Sequence, residues 1–265
     1  MADYCNEAKH RLLKGEKMAG CWIQLASTIA SEIIADSGYD IALIDCEHAP
    51  IEIASLVGFF QAMKGSNIMP MVRAPWNDMV AIKRILDCGA PAIHIPYITS
   101  YEEAVKAIKY CKYPLEGVRG IAGAQRANFY GDASRHYRER ANEEILVMLA
   151  IETPGAIEEL DKIVTIPGLD GIFIGPVDLS TSMGHFCNPS HPEVQEAIRR
   201  IESIVLPSGK LLATVAPTPE KAIELYNRGY SYLIVGSDER YVRLGASKDV
   251  KELKAYLDPE NAKLK

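Results

Sequence analysis

Eight short apolar runs punctuate this chain, and between them apolar residues recur at three- and four-residue spacing. The runs fall at approximately 20–25, 40–45, 69–73, 92–96, 146–152, 170–175, 211–216 and 231–236, each of strand length. Between them, Met79-Val80-Ala81-Ile82-Lys83-Arg84-Ile85-Leu86-Asp87 has the period of an amphipathic helix. Tyr101 to Cys111 does too, with Ala104, Val105, Ala107 and Ile108 able to share a face. Gly89, Gly168 and Gly229 fall near expected helix ends, where glycine adopts a left-handed cap most easily. Eight strands alternating with helices predict a single (β/α)8 barrel domain over residues 1–265, close to the roughly 250 residues such a barrel needs. An open doubly wound sheet is the competing architecture. The first strand lacks a following GxGxxG turn, which weakens its dinucleotide-binding form.

One connection breaks the rhythm. The helix after strand 4 should end near Lys112, yet strand 5 begins only near Ile145. The intervening stretch holds Gly117-Val118-Arg119-Gly120 and Gln125-Arg126-Ala127-Asn128-Phe129-Tyr130-Gly131. Connections this long in a compact domain are usually functional or mobile. It is expected to cover the active-site face; a surface excursion or an oligomer contact is the plainer reading.

Composition narrows the function. A hydrophobic fraction of 48% supports a large core, and a net charge of −6 without a basic run argues against nucleic acid. No apolar stretch approaches the roughly 18 residues of a spanning helix. The N-terminus lacks the basic-then-apolar order of a secretion signal. The six cysteines show no CxxC spacing and no Cys/His cluster, so reduced thiols in the cytoplasm are expected. Cys46 lies between Asp45 and Glu47, whose charges raise a thiol pKa, so it is a poor nucleophile.

The chemistry gathers at strand ends. Ile41-Ala42-Leu43-Ile44 runs into Asp45-Cys46-Glu47-His48-Ala49-Pro50; Arg73, Glu152 and Asp178 close three further runs. Charged groups at the carboxyl ends of apolar strands are where α/β enzymes keep their reactive residues. Glu152 and Asp178 end adjacent strands and are able to converge on a divalent cation such as Mg²⁺ or Mn²⁺. Alternatively each caps the helix that follows, a role that suits Asp178. His48 with Asp45 suggests a base and its orienting carboxylate, against a histidine that merely satisfies nearby backbone. Glu47 fits a metal ligand, a supporting carboxylate or a structural acceptor. Arg73 suits a substrate carboxylate or an enolate oxygen, or a salt bridge to Glu47 or Asp45. His94 reads as buried and structural.

Taken together these motifs resemble the HpcH/HpaI family of metal-dependent 2-keto-3-deoxy acid aldolases, the class II pyruvate aldolases. The resemblance runs from about Gly20 to Asp238, through Ile44–Pro50, Val72–Asp78, Gly117–Gly120, Ile151–Thr153, Gly171–Ser180 and His191–Gln195. It implies a pyruvate-type (β/α)8 barrel assembled as a hexamer, a trimer of dimers, with the C-terminal helix swapped onto a neighbouring subunit. It implies an aldehyde-lyase that reversibly cleaves a 4-hydroxy-2-oxo acid to pyruvate and an aldehyde, in carbohydrate acid or aromatic catabolism. The cofactor would be Mg²⁺ or Mn²⁺, with Co²⁺ a further candidate, held by Glu152 and Asp178. Arg73 would contact the keto oxygen, and His48 with Asp45 would move protons. Trp22 would line the site, and the backbone around Gly175, Val177 and Asp178 would hold the pyruvate carboxylate. Asp87 would approach a neighbouring subunit's site.

One position departs from the family pattern. Many members carry glutamine two residues before the metal-binding glutamate, where this chain has Ala150. Metal binding survives that change; the substrate preference is what it unsettles. The Gln125–Gly131 stretch looks nearer to the 2-dehydro-3-deoxyglucarate aldolase branch than to the heptenedioate branch. Two other functions stay open: a citrate-lyase-like lyase or thioesterase acting on an acyl-CoA, and a non-catalytic binding protein for a 2-oxo acid or a metal. A Schiff-base aldolase needs a strand-end lysine, and neither Lys83 nor Lys210 shares the cluster.

Overall fold

A computed structural model describes residues 4–257. Eight parallel strands close into a barrel in sequence order. They are β1 Met18–Ile23, β2 Ile41–Asp45, β3 Met69–Arg73, β4 Ala92–Ile98, β5 Leu146–Ile151, β6 Gly171–Ile174, β7 Leu211–Val215 and β8 Tyr232–Ser237. Every strand predicted from hydropathy is present, with shifts of one or two residues at the ends. Twelve α-helices are described: α1 Glu7–Leu13, α2 Thr28–Asp36, α3 Leu56–Ala62, α4 Met79–Asp87, α5 Tyr101–Cys111, α6 Tyr137–Glu144, α7 Pro154–Glu158, α8 Leu160–Ile163, α9 Pro176–Ser182, α10 Pro192–Val205, α11 Pro219–Asn227 and α12 Asp238–Leu257.

The strands read as continuous apolar runs because both of their faces are buried. Leu43, Met71, Met148, Phe173, Ala213 and Tyr232 fill the barrel interior, and Ala8 and Leu12 of α1 join them from the base. The alternate residues, among them Ile44, Val72, Leu149, Ile172, Leu212 and Leu233, pack beneath the helices. Asp78 starts α4 by accepting from the amides of Val80 and Ala81, and Ser100 caps α5 in the same way. The helix-end glycines at 89, 168 and 229 have φ of 98°, 84° and 111°, the left-handed conformation expected of them.

The long connection corrects its expectation. Because it joins the end of α5 to the start of β5, it lies at the amino-terminal base of the barrel, opposite the carboxyl-terminal mouth. Its residues fasten to other base elements. Arg119 meets Asp87 at the end of α4 at 2.7 Å, Arg126 donates to the Cys88 carbonyl, and the Asn142 carbonyl accepts from Lys112. It therefore does not cover the mouth of its own barrel. At the other end of the chain, α12 buries only Asp238. Val242, Leu244, Val250 and Leu253 stay exposed along it, although the helix also contacts β1, β8 and α2. The predicted domain limits of 1–265 include residues 1–3 and 258–265, which lie outside the described residues.

Candidate active site

Asp45, Arg73 and His94 are register partners on β2, β3 and β4, so their side chains leave the sheet on the same side. Arg73 donates from Nε and Nη2 to the two oxygens of Asp45, at 2.9 and 2.7 Å, and Nη1 lies 3.1 Å from Glu47. Its guanidinium sits 4.2 Å above the centre of the Trp22 ring. A bidentate pair resting on an indole holds the cation in one orientation. Asp45 also accepts from Gln24 Nε2 and from the amides of Glu47 and His48. Burial opposes its charge, but the Arg73 bonds and then the others outweigh it and hold the carboxyl below its usual range.

That arrangement corrects the expected Asp45–His48 dyad. Both Asp45 oxygens are committed to Arg73, Gln24 and backbone amides, and only the amide of His48 touches it. The carboxylate beside the exposed His48 ring is Glu47, with Nε2 3.7 Å from its oxygen. Asp45 thus orients Arg73, and His48 leans into the mouth beside Glu47.

Glu152 follows β5 and Asp178 stands in the first turn of α9, after β6. Neither caps its helix. Thr153 caps α7, and Gly175 at the start of α9 offers no side chain. Glu152 turns inward instead and accepts the Tyr97 amide at 3.1 Å. Tyr97 can donate there because the β4 ladder shifts register between Ile95 and Ile98, with Tyr97 at φ 52°. Such a bulge next to a functional group re-aims one residue. Gly175 makes the space: a β-carbon there would fall 2.0 Å from Glu152 Oε1. Ser182 ties α9 back to the Glu152 carbonyl at 2.6 Å.

The electrostatics of the mouth are unbalanced. Burial first, then Asp178 and Glu47, push the Glu152 carboxyl up to about 7, against the Tyr97 amide and Arg73. Burial likewise raises Glu47 despite the nearby Arg73 and His48. Three carboxylates feel one another across a site whose arginine is already paired with a fourth. An oxygen-only donor set with surplus negative charge fits a hard divalent cation.

Beneath lies an aromatic floor. His94 packs on Phe173 at 4.7 Å between ring centres, and Phe173 also meets Trp22 and Tyr232. Both His94 ring nitrogens are buried without a partner, and burial, with Arg73 adding to it, lowers the group to about 3. It is neutral and interior, as its strand position suggested. Asp87 is remote from this mouth, at the base beside Arg119. Sequence reasoning passed over Gln24, Tyr97 and Ser182. Gln24 directly follows the β1 run and was open to the same strand-end rule; the Tyr97 amide depends on a bulge that carries no residue signature.

Residues 18–243 match the family described as HpcH/HpaI aldolase/citrate lyase. The chain belongs to this family. A 5-keto-4-deoxy-D-glucarate aldolase of Salmonella arizonae is 37% identical over 247 residues, covering 93% of this chain and 96% of that protein. Its counterpart in an Enterobacter species is 38% identical over 233 residues, 88% and 91% of the two chains. Among solved structures, an HpcH/HpaI aldolase/citrate lyase family protein from Burkholderia cenocepacia superposes with a TM-score of 0.89 at 30% identity, over 94% and 99% of the chains. The citrate synthase SbnG gives 0.81 at 30% identity, over 93% and 98%. A citrate lyase from Burkholderia xenovorans reaches 0.60 at 13% identity, over 83% and 72%, and shares the fold alone. As an HpcH/HpaI aldolase the chain is an aldehyde-lyase, cleaving a hydroxy-oxo acid to pyruvate and an aldehyde. Among the described residues no helix is long and apolar enough to cross a membrane.

Proposed function

We propose that this chain cleaves a 4-hydroxy-2-oxo acid of the 5-keto-4-deoxyglucarate type at the barrel mouth, with Glu152 and Asp178 holding a divalent cation. The observation that carries this reading is the surplus of carboxylate charge around Glu152, whose carboxyl is pushed up to about 7 by burial and by Asp178. Mg²⁺, Mn²⁺ and Co²⁺ all suit such a set, and any of them would supply a Lewis acid for the 2-oxo oxygen. Arg73, fixed by Asp45 and Trp22, places a positive charge where the enolate oxygen develops. His48, exposed in the mouth beside Glu47, takes the proton from the 4-hydroxyl and returns it in the aldol direction. Amides of Val177 and Asp178, at the start of α9 after Gly175, receive the pyruvate carboxylate. Trp22 and Val177 border a cavity of ≈ 790 Å³ whose wall also carries Arg240. Arg240 is a cation for the far carboxylate of a dicarboxylic substrate.

The exposed apolar residues Val242, Leu244, Val250 and Leu253 of α12 support the swapped-helix hexamer, a trimer of dimers, in which Asp87 serves a neighbouring mouth. The cysteines at 5, 21, 46, 88, 111 and 187 are free thiols, in keeping with a cytoplasmic enzyme. The test is pyruvate release from 5-keto-4-deoxy-D-glucarate and shorter 4-hydroxy-2-oxo acids, with and without chelator and with each cation restored. Cleavage that survives complete chelation overturns the metal assignment. Turnover of an acyl-CoA and of none of the oxo acids overturns the substrate class.

A further inference from the structure

A second constellation lies outside the mouth and has no part in the proposed reaction. The connection between α9 and α10 places Pro189 and Ser190 on the wall of the cavity beside Val177. Its two ends bring His185 and His191 face to face, with ring centres 3.5 Å apart and planes 15° from parallel. His185 Nε2 lies 2.9 Å from a carboxylate oxygen of Glu193. The Glu193 amide donates to His191 Nδ1 at 3.3 Å, a long bond that caps α10. One ligand atom from each of the three residues lies within 4.8 Å of the others. In a tetrahedral site with metal–ligand bonds near 2.1 Å, donors sit about 3.4 Å apart. A small inward movement of partly exposed side chains closes that difference.

We infer that His185, His191 and Glu193 form a second cation site, selective for Zn²⁺ or another borderline ion, that pins the α9–α10 connection at the rim of the mouth. Two imidazoles and one carboxylate form a softer donor set than the all-oxygen mouth, so the two sites sort ions by chemistry. Three protein ligands leave a fourth position for water. Among the described residues, Cys5, His10 and Glu144 have the same spacing. There Glu144 is already committed to the Asn6 amide, to His10 and to Arg140, so a cation has to displace existing partners. At the rim a cation displaces only contacts among its own ligands, the His185–Glu193 pair and the long cap bond at His191.

The experiment uses the tag-free full chain carrying Glu152→Gln and Asp178→Asn, which silences the mouth, titrated with Zn²⁺ in excess Mg²⁺ by equilibrium dialysis. One Zn²⁺ per chain is expected to remain bound. Adding His185→Ala or Glu193→Gln should weaken it at least about tenfold. His191→Asn keeps an acceptor for the helix cap and should weaken it equally, which separates ligation from folding. Zn²⁺ should also slow amide exchange over residues 183–191. Loss of binding in the mouth-silenced chain overturns the site, as does binding indifferent to His185→Ala. Unchanged exchange overturns the pinning. Pyruvate release by His185→Ala with Mg²⁺ should match that of the unsubstituted chain, so failure here is distinct from failure of the mouth assignment.

Discussion

Two buried glutamates at opposite ends of the barrel show how differently one side chain is treated. At the base, Glu144 accepts from the Asn6 amide at 2.7 Å, meets the His10 ring at 2.9 Å and pairs with Arg140. Burial works against its charge, yet those partners win and its carboxyl is lowered. At the mouth, Glu152 has one backbone donor and two carboxylate neighbours, and its carboxyl is raised. Other base charges follow the first pattern: Asp170 accepts from Lys9 and from the Val147 amide. A charge that serves the fold is given its partners by the fold. A charge that serves a ligand is left short of them, and the resulting repulsion is relieved when the ligand arrives.

The widest separation between the two ends should come from paired deletions. Glu152→Ala is expected to remove metal-dependent cleavage by about a thousandfold or more, since the cation's contribution is several kcal/mol. The metal-free fold should melt no lower, because a buried and repelled carboxylate has gone. Glu144→Ala should leave turnover intact and destabilise by roughly 1–3 kcal/mol, because it strands the buried Asn6 amide and removes a partner from the part-exposed His10 and Arg140. Pyruvate release and chemical denaturation on both variants test this; a large stability loss at 152 with normal activity would reverse the two assignments.

Within the mouth, Arg73 and His48 should part in the same way. His48→Ala is expected to slow turnover by roughly a hundred- to ten-thousandfold while pyruvate still binds, since a proton carrier acts mainly in the transition state. Arg73→Ala should lose pyruvate binding and turnover together, and should weaken the fold by leaving Asp45 buried without its cation. Inhibition by added pyruvate separates the two. Equal loss of inhibition in both variants would put His48 in the binding role.

Much of this division was legible beforehand. Hydropathy located all eight strands because a parallel barrel buries both faces of each, and the strand-end rule found Asp45, Glu47, His48, Arg73, Glu152 and Asp178. Pairings were less legible. Sequence spacing placed Asp45 near His48, but the register across β2 and β3 puts it opposite Arg73, where two hydrogen bonds to a guanidinium outcompete one to a ring. The base connection was misplaced because its length signalled function without direction. Chain order shows which end it must occupy: a segment entering a strand lies at the amino-terminal face.

Titration should set the two glutamates against each other. Glu152 keeps its proton in the fold above its ordinary value of 4.5, up to about 7. The metal-free fold therefore loses stability as pH rises through that window, by on the order of 3 kcal/mol at most from this group. Glu144 is lowered, so its contribution is present above the ordinary carboxylate range and disappears as pH falls. Divalent cations should accordingly raise the melting temperature more at pH 8 than at pH 5.5, and apparent affinity should climb between them as Glu152 gives up its proton. A cation shift independent of pH would remove Glu152 from the ligand set.

The smallest effect is expected at Ala150, which stands where many members of the family carry glutamine. The residue is fully buried, and its register partner is Phe173 of the aromatic floor. Ala150→Gln therefore adds an amide to packed space, and about 1–3 kcal/mol of stability should be lost to crowding. The kinetic change should be small, on the order of one hydrogen bond or roughly 1 kcal/mol. His94 decides how the loss is shared. Its ring packs on the same Phe173, and both of its nitrogens lack partners. If the new amide bonds to that ring, Ala150→Gln combined with His94→Leu should be less stable than the two single changes added together. Strict additivity would mean that the glutamine points elsewhere. Thermal melts of the four chains with metal present, beside cleavage rates on several 4-hydroxy-2-oxo acids, distinguish these outcomes. A rate change far larger than that of one hydrogen bond would place residue 150 in contact with substrate, and the floor would then belong to the site.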